Sequence, residues 1–153
     1  MESEEEVKET LRDLWNRYAS HYKGTLLTPG VQEMGRAMLD AIIPCPDGIV
    51  HDGGSGIGYW IVPLLEKTQA KKVIGTDYSE EMLKEAKKSL AQKKYFIEER
   101  IQLRAMDLTK EWPIEEFDAQ VFHLTLYYLP YNEWKNVLQR AFDSTKPGGY
   151  VYS

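Results

Sequence analysis

The chain has 153 residues, enough for one domain with a sizeable core but not for two. Hydrophobic residues at 42% and charged residues at 28% are an ordinary globular mixture. A net charge of −5, with Glu2, Glu4, Glu5 and Glu6 crowding the start, excludes the basic face by which nucleic-acid binders are known.

Residues 3–22 carry Val7, Leu11, Leu14, Trp15 and Tyr18 at helical spacing, which predicts a helix with one apolar face. Gly24 and Pro29-Gly30 read as breaks, and a second helix follows over 31–43. Pro44 to Gly48 forms a turn that holds Cys45. As the only cysteine it can form no intrachain disulfide, so a reducing compartment, the cytoplasm, is expected. No apolar run approaches the about 20 residues of a membrane span, and the acidic start is not a signal peptide.

From Ile49 onward strands and helices alternate. Strands are predicted over 49–52, 72–77, 101–106, 117–124 and 150–152, and helices over 59–66, 80–91 and 131–143. Lysines 84, 87, 88, 93 and 94 sit among glutamates and read as a solvated helix face. The alternation implies parallel strands joined by crossovers, with helices on both faces. The expected fold is therefore α/β, a Rossmann-like three-layer sandwich with about five strands. Residues 1–44 form a helical N-terminal cap and residues 45–153 the sheet domain.

In such a sheet ligands collect beyond the carboxyl ends of the strands. The first strand runs into Asp52-Gly53-Gly54-Ser55-Gly56-Ile57-Gly58, a glycine-rich turn that lets a ligand approach the backbone. The following helix is expected to aim its free N–H groups and positive dipole end at whatever that turn cradles. The second strand ends in Asp77, 25 positions after Asp52, where a carboxylate can accept from ribose hydroxyls. The third ends in Asp107 and the fourth near His123. Each aspartate has a local alternative: a turn cap at Asp52, a helix N-cap at Asp77, an Asx turn at Asp107. Three at one sheet edge point to a nucleoside site. A dinucleotide-dependent oxidoreductase is the rival enzyme, but its G-x-G-x-x-G pattern, started at Gly54, meets Tyr59 where it needs glycine.

The motifs Asp52 to Gly58, Val73-Ile74-Gly75-Thr76-Asp77-Tyr78-Ser79 with Met82-Leu83, and Met106-Asp107-Leu108 come in a telling order. They continue with Phe117-Asp118-Ala119-Gln120-Val121 and Lys146-Pro147-Gly148-Gly149-Tyr150. Over residues 45 to 152 the chain thereby resembles class I S-adenosylmethionine-dependent methyltransferases, of the small-molecule type that includes ubiquinone- and menaquinone-pathway enzymes. The resemblance implies S-adenosylmethionine as cofactor, with Gly54, Ser55 and Gly56 against its methionyl part and Asp52 near its ammonium group. Asp77 would hold the ribose, Tyr78 and Met82 would line the adenine, and Asp107 with Leu108 would meet the adenine amino group. Phe122, His123 and Leu124 would border the sulfonium, while Tyr18 or Tyr22 would close over the cofactor.

His123 is the candidate general base and the one candidate catalytic residue. Tyr127 and Tyr128 are candidates for the acceptor side. His51, where the family has an apolar residue, reads as hydrogen-bonded structure. A small-molecule acceptor, no nucleic acid and no metal are expected. Relatives continue past the fifth strand, so a chain truncated there, or an edge covered by a second copy, is expected. A cofactor-binding domain without turnover is the non-enzymatic alternative.

Overall fold

The computed structural model describes residues 3–92 and 99–153. Five strands form one sheet: β1 (Ile49–Gly53), β2 (Lys72–Asp77), β3 (Ile101–Ala105), β4 (Phe117–Val121) and β5 (Thr145–Tyr152). Their order is β3-β2-β1-β4-β5 and every pair is parallel. The helices are α1 (Glu4–Tyr18), α2 (Tyr22–Leu26), α3 (Pro29–Ala41), α4 (Ile61–Thr68), α5 (Glu80–Gln92) and α6 (Tyr131–Asp143). The chain winds outward from β1 to β3 and then returns to place β4 on the other side of β1. The reversal opens a crevice at the carboxyl ends of β1 and β4.

Strand residues alternate between two covered faces. Val50, Val73, Ile101 and Ala119 pack on Ile61 and Leu65 of α4 and Leu90 of α5. Met38 and Ile42, at the end of α3, extend that layer over Leu64 and Val121. On the opposite face Val137 and Ala141 of α6 pack on Leu108 and Phe122. Complete burial of such aliphatic side chains is worth about 1.5–3 kcal/mol each.

His51 lies inside this core as structure. Its Nδ1 donates to Gln120 Oε1 at 2.9 Å, and its Nε2 accepts from Thr76 Oγ1 at 2.9 Å. Gln120 spends its amide hydrogens on α6 and its exit, at the Ala141 carbonyl and the hydroxyls of Ser144 and Thr145. With its hydrogen-bonding groups used by a neutral imidazole, burial lowers the His51 pKa to about 4.

Several boundaries differ from the sequence expectation, for local reasons. Gly24 does not break the chain: a 3₁₀ turn at Ala19–His21 leads into α2, which contains it. Pro29 opens α3 instead of ending a helix, because a proline at the first helical position needs no N–H. Helix α4 starts at Ile61 instead of Tyr59. Strand β4 stops at Val121 and the chain turns at Leu124, whose φ is +55°. Strand β5 starts at Thr145 and carries Lys146 to Gly149 as an irregularity, pairing Thr145 with Phe117 and then Tyr150 with Ala119.

The buried face of α1 also differs. Lys8 is buried and Val7, Leu11, Arg12, Trp15 and Asn16 are half-buried, with Ala19 buried just past the helix end, whereas Leu14 is 50% exposed and Tyr18 39%. Polar side chains turn inward because α1 lies over a polar sheet edge. On α5, Lys84 and Lys88 pair with Glu81 and Glu85 one turn earlier, as a solvated face should. Lys93 and Lys94 lie outside the described residues. No helix among the described residues is long and apolar enough to cross a membrane.

Candidate cofactor cavity at the carboxyl ends of the strands

A cavity of about 150 Å³ opens where β1, β2, β3 and β4 end, roofed by α1. Gly54, Ser55 and Gly56 form one wall, with Asp77, Tyr78 and Met82 after β2 and Asp107 and Leu108 after β3. His123, after β4, and Tyr22, from α2, complete the predicted set. Asp52 is the exception: it is buried behind the glycine turn, 4% exposed, and does not line the cavity. As a strand residue locked between Gly75 and Val121, its side chain is committed to the interior. Tyr18 also lies off the wall, and its hydroxyl bonds Thr25 Oγ1 at 2.6 Å.

The glycine turn differs from an anion cradle. Gly54 N–H and Ser55 N–H both donate to the Thr76 carbonyl, at 2.8 and 2.9 Å, and Gly58 N–H donates to the Ser55 carbonyl. Gly56 N–H donates to Asp77 Oδ2 at 2.9 Å. These donors are therefore spent inside the fold. What the turn offers is bare surface. At Gly54, φ is +75° and a Cβ would strike Thr125. At Gly56, φ is +54°, and the first atom a Cβ would meet is Tyr22 Cε1 at 3.7 Å, across the cavity mouth.

The carboxylates combine the local and the ligand-facing roles. Asp77 caps Ser79 N–H through Oδ1 at 2.8 Å while Oδ2 holds Gly56, so it ties two loops together. Burial raises its pKa, and the three backbone donors oppose that rise. Asp107 Oδ1 takes the N–H and hydroxyl of Thr109, the expected Asx turn, and still lines the cavity. Asp52 makes no side-chain hydrogen bond among the described residues. Burial, with the neighbouring Asp77 charge second, pushes its pKa up to about 7.

Sequence reading missed the polar contribution of α1. Lys8, 7% exposed, reaches Thr109 Oγ1 at 2.9 Å, Glu5 Oε2 at 3.3 Å and Asp107 Oδ2 at 3.5 Å. Arg12 lies 5.3 Å from the centre of the Tyr78 ring, and Asn16 Oδ1 accepts from Ser79 Oγ at 2.6 Å. Positions 8, 12, 15, 16 and 19 share one helix face, a signal available at i, i+4 spacing but hidden because it is polar. Thr125 was missed too: its hydroxyl donates to the Gly53 carbonyl at 2.8 Å and pins the β4 exit on the glycine turn. The Tyr127 and Tyr128 rings lie 4.1 Å apart at a 33° tilt, with Tyr127 Oη donating to Tyr128 Oη at 2.6 Å. Tyr128 lines the cavity and Tyr127 does not.

The chain is an α/β domain built on a 3-2-1-4-5 sheet, with a cavity at the carboxyl ends of its strands. The chain belongs to the methyltransferase-domain family, whose description, "Methyltransferase domain", matches residues 50–149. No curated protein sequence matches it. Among solved structures, a complex of DhpI with SAM and HEP is similar at a TM-score of 0.78 and 24% identity, over 95% of this chain and 64% of that one. Phosphoethanolamine N-methyltransferase 1 of Haemonchus contortus, with phosphoethanolamine and S-adenosylhomocysteine, gives 0.81 at 21% identity, over 98% of this chain and 32% of that one. A putative methyltransferase of Haloferax volcanii, in complex with the activator Trm112, gives 0.73 at 19% identity, over 90% and 57%. The likenesses establish the fold, and the chain spans just under two thirds of the DhpI chain and about one third of the Haemonchus chain.

Proposed function

We propose that this chain binds S-adenosylmethionine and directs its methyl group to a small-molecule acceptor. The observation that carries the reading is the glycine turn with its N–H groups spent inward, backed by the buried Asp52 carboxyl and the unpartnered Ser55 hydroxyl. A pyrophosphate needs free backbone donors. A ligand with a cationic amino-acid end needs a close, bare backbone and negative charge, and the residues present fit that group.

In this reading Gly54, Ser55 and Gly56 face the methionyl part, and Asp52 acts from behind the turn as a buried negative charge. Asp77 receives the ribose hydroxyls, Tyr78 and Met82 flank the adenine, and Asp107 with the Leu108 backbone meets its amino group. His123 stands at the reacting end. Tyr22 covers the mouth, and residues 1–44 serve as a cap over the 45–153 domain.

The cofactor supplies a methyl group made electrophilic by a positively charged sulfur. The protein then needs to align the reactants, worth about 7–11 kcal/mol, and to keep water out. Trp15, Tyr22 and the rest of the α1–α2 face exclude water. Burial lowers the His123 pKa, so its imidazole is neutral at neutral pH and can take an acceptor's proton at Nε2. The free edge of β5 favours a second copy or a partner along it, and the lone Cys45 fits a cytoplasmic setting.

The test is calorimetric titration with S-adenosylmethionine and S-adenosylhomocysteine on the wild type, Asp77→Ala and Asp77→Asn. Micromolar binding, on the order of −8 kcal/mol, should weaken about 100-fold in Asp77→Ala. Absence of binding in the folded wild type refutes the reading. Binding with no methyl transfer to any small molecule supports a cofactor-binding domain instead.

A further inference from the structure

Three side-chain polar atoms among the described residues are buried without a hydrogen-bond partner: Ser55 Oγ, Trp60 Nε1 and His123 Nε2. All three residues line the same cavity. A buried polar atom left unpaired costs about 1–3 kcal/mol, so three around one cavity indicate partners that a ligand brings. Ser55 belongs to the glycine turn and the cofactor's amino-acid end. Trp60 and His123 remain, side by side, with ring centres 5.8 Å apart and planes at 84°.

We propose that Trp60 and His123 form the subsite for a neutral hydroxyl of the methyl acceptor, Trp60 Nε1–H donating to its oxygen and His123 Nε2 receiving its hydrogen. This rests on the methyltransferase reading and narrows it to hydroxylated acceptors such as phenols.

The indole is held in place by packing. A Cβ at Gly35 of α3 would fall 1.9 Å from Trp60 Cη2, so the glycine makes the slot that the ring fills, while Tyr59 abuts its other side at 4.9 Å. Indole nitrogen only donates, so its partner must be an acceptor atom. An ammonium has none to offer. The neutral imidazole, by contrast, can accept, and a hydroxyl is the group that satisfies both at once. A carboxylate or phosphate would need a cation. The two on the wall, Lys8 and Arg12, are engaged with Asp107, Thr109 and Tyr78. Trp15, Tyr128 and Leu129 line the same cavity and give it an apolar wall that suits an aromatic body.

The experiment titrates phenol, anisole and toluene into the chain saturated with S-adenosylhomocysteine, following the indole N–H signals by nuclear magnetic resonance. Trp60→Phe assigns the relevant signal. Phenol should bind about tenfold tighter than anisole, and anisole several-fold tighter than toluene, with the Trp60 N–H moving for the first two only. Trp60→Phe should abolish the anisole–toluene difference, and His123→Phe the phenol–anisole difference, while Trp60→Phe leaves S-adenosylhomocysteine affinity within twofold. Equal binding of the three probes, or none, overturns the proposal. So does a Trp60→Phe chain that loses S-adenosylhomocysteine tenfold, because the indole would then serve the cofactor. A wild type that binds no S-adenosylhomocysteine fails earlier, at the methyltransferase reading itself.

Discussion

At the ends of β1 and β2 the backbone donors are tied into the fold: Thr76 receives two N–H groups of the glycine turn, and Asp77 joins that turn to the start of α5. Past β4 the arrangement is looser. The chain turns at a left-handed Leu124, His123 Nε2 has no hydrogen-bond partner among the described residues, and Tyr127 is 57% exposed. In the proposed function the first region holds the fixed part of the cofactor. The second offers unsatisfied groups to a ligand still to arrive. A domain can thus fix its cofactor through backbone geometry while leaving acceptor choice to side chains.

The largest effect that would break this comparison lies beneath both regions, at His51. His51→Ala removes a core ring and strands Gln120 and Thr76, so it should cost about 3–4 kcal/mol in urea unfolding. Cofactor affinity of the remaining folded protein should change less than threefold. A large loss of affinity with little loss of stability would place His51 in the site.

The next prediction concerns pH. In the native state His51 titrates near about 4, against 6.5 when free, so the stability it supplies is present above 6.5 and fades as pH falls through about 4. The full window is worth about 3 kcal/mol. Asp52 runs the other way: its native pKa of about 7 lies above the free value of 3.8, so its contribution is present below about 4 and is lost as pH rises through 7. Asp52→Asn should therefore raise the stability of the ligand-free protein above pH 7 and leave a profile that rises steadily from pH 4 to 6.5. Cofactor affinity should fall about tenfold in the same variant. In the wild type, binding at pH 6.5 should release a proton, read as a dependence of the calorimetric heat on buffer ionisation enthalpy. Heat that is independent of buffer would remove Asp52 from the binding reaction.

The smallest effect is expected at the rim. Tyr127→Phe removes one exposed hydroxyl and its bond to Tyr128. Stability should change by about 0.5 kcal/mol or less, and cofactor binding within twofold, while acceptor affinity shifts several-fold. A cofactor effect as large as that of Asp77→Ala would erase the distinction between the two regions.

The sheet was legible because its signals are local and repeated. Apolar runs ending in Asp52, Asp77 and Asp107 give strands and the cavity edge from sequence order alone. The α1 face was not, because periodicity analysis weighs apolar residues and the inward side of α1 presents Lys8, Arg12 and Asn16 to a polar cavity. Trp60 escaped for another reason: its position depends on Gly35, 25 residues away in another helix, and no local pattern links them. Where the turn's N–H groups point was not legible, because a glycine-rich sequence specifies an approachable backbone without specifying the direction of its hydrogens. Here the Thr76 carbonyl claims two of them.

The way α1 is fastened has a thermodynamic signature. Glu4 to Asn132, Glu5 to Lys110, Lys8 to Asp107 and Thr109, and Asn16 to Ser79 are polar attachments, two of them ionic. Ionic attachments near solvent weaken as the Debye length shrinks from about 10 Å at 0.1 M salt to 3 Å at 1 M. The roof of the cavity should accordingly open before the sheet, with amide hydrogens of α1 exchanging faster as salt is added while those of β1 and β2 stay protected. Residence time of a bound nucleoside would then be set by ionic strength through a helix that never touches the reacting atoms.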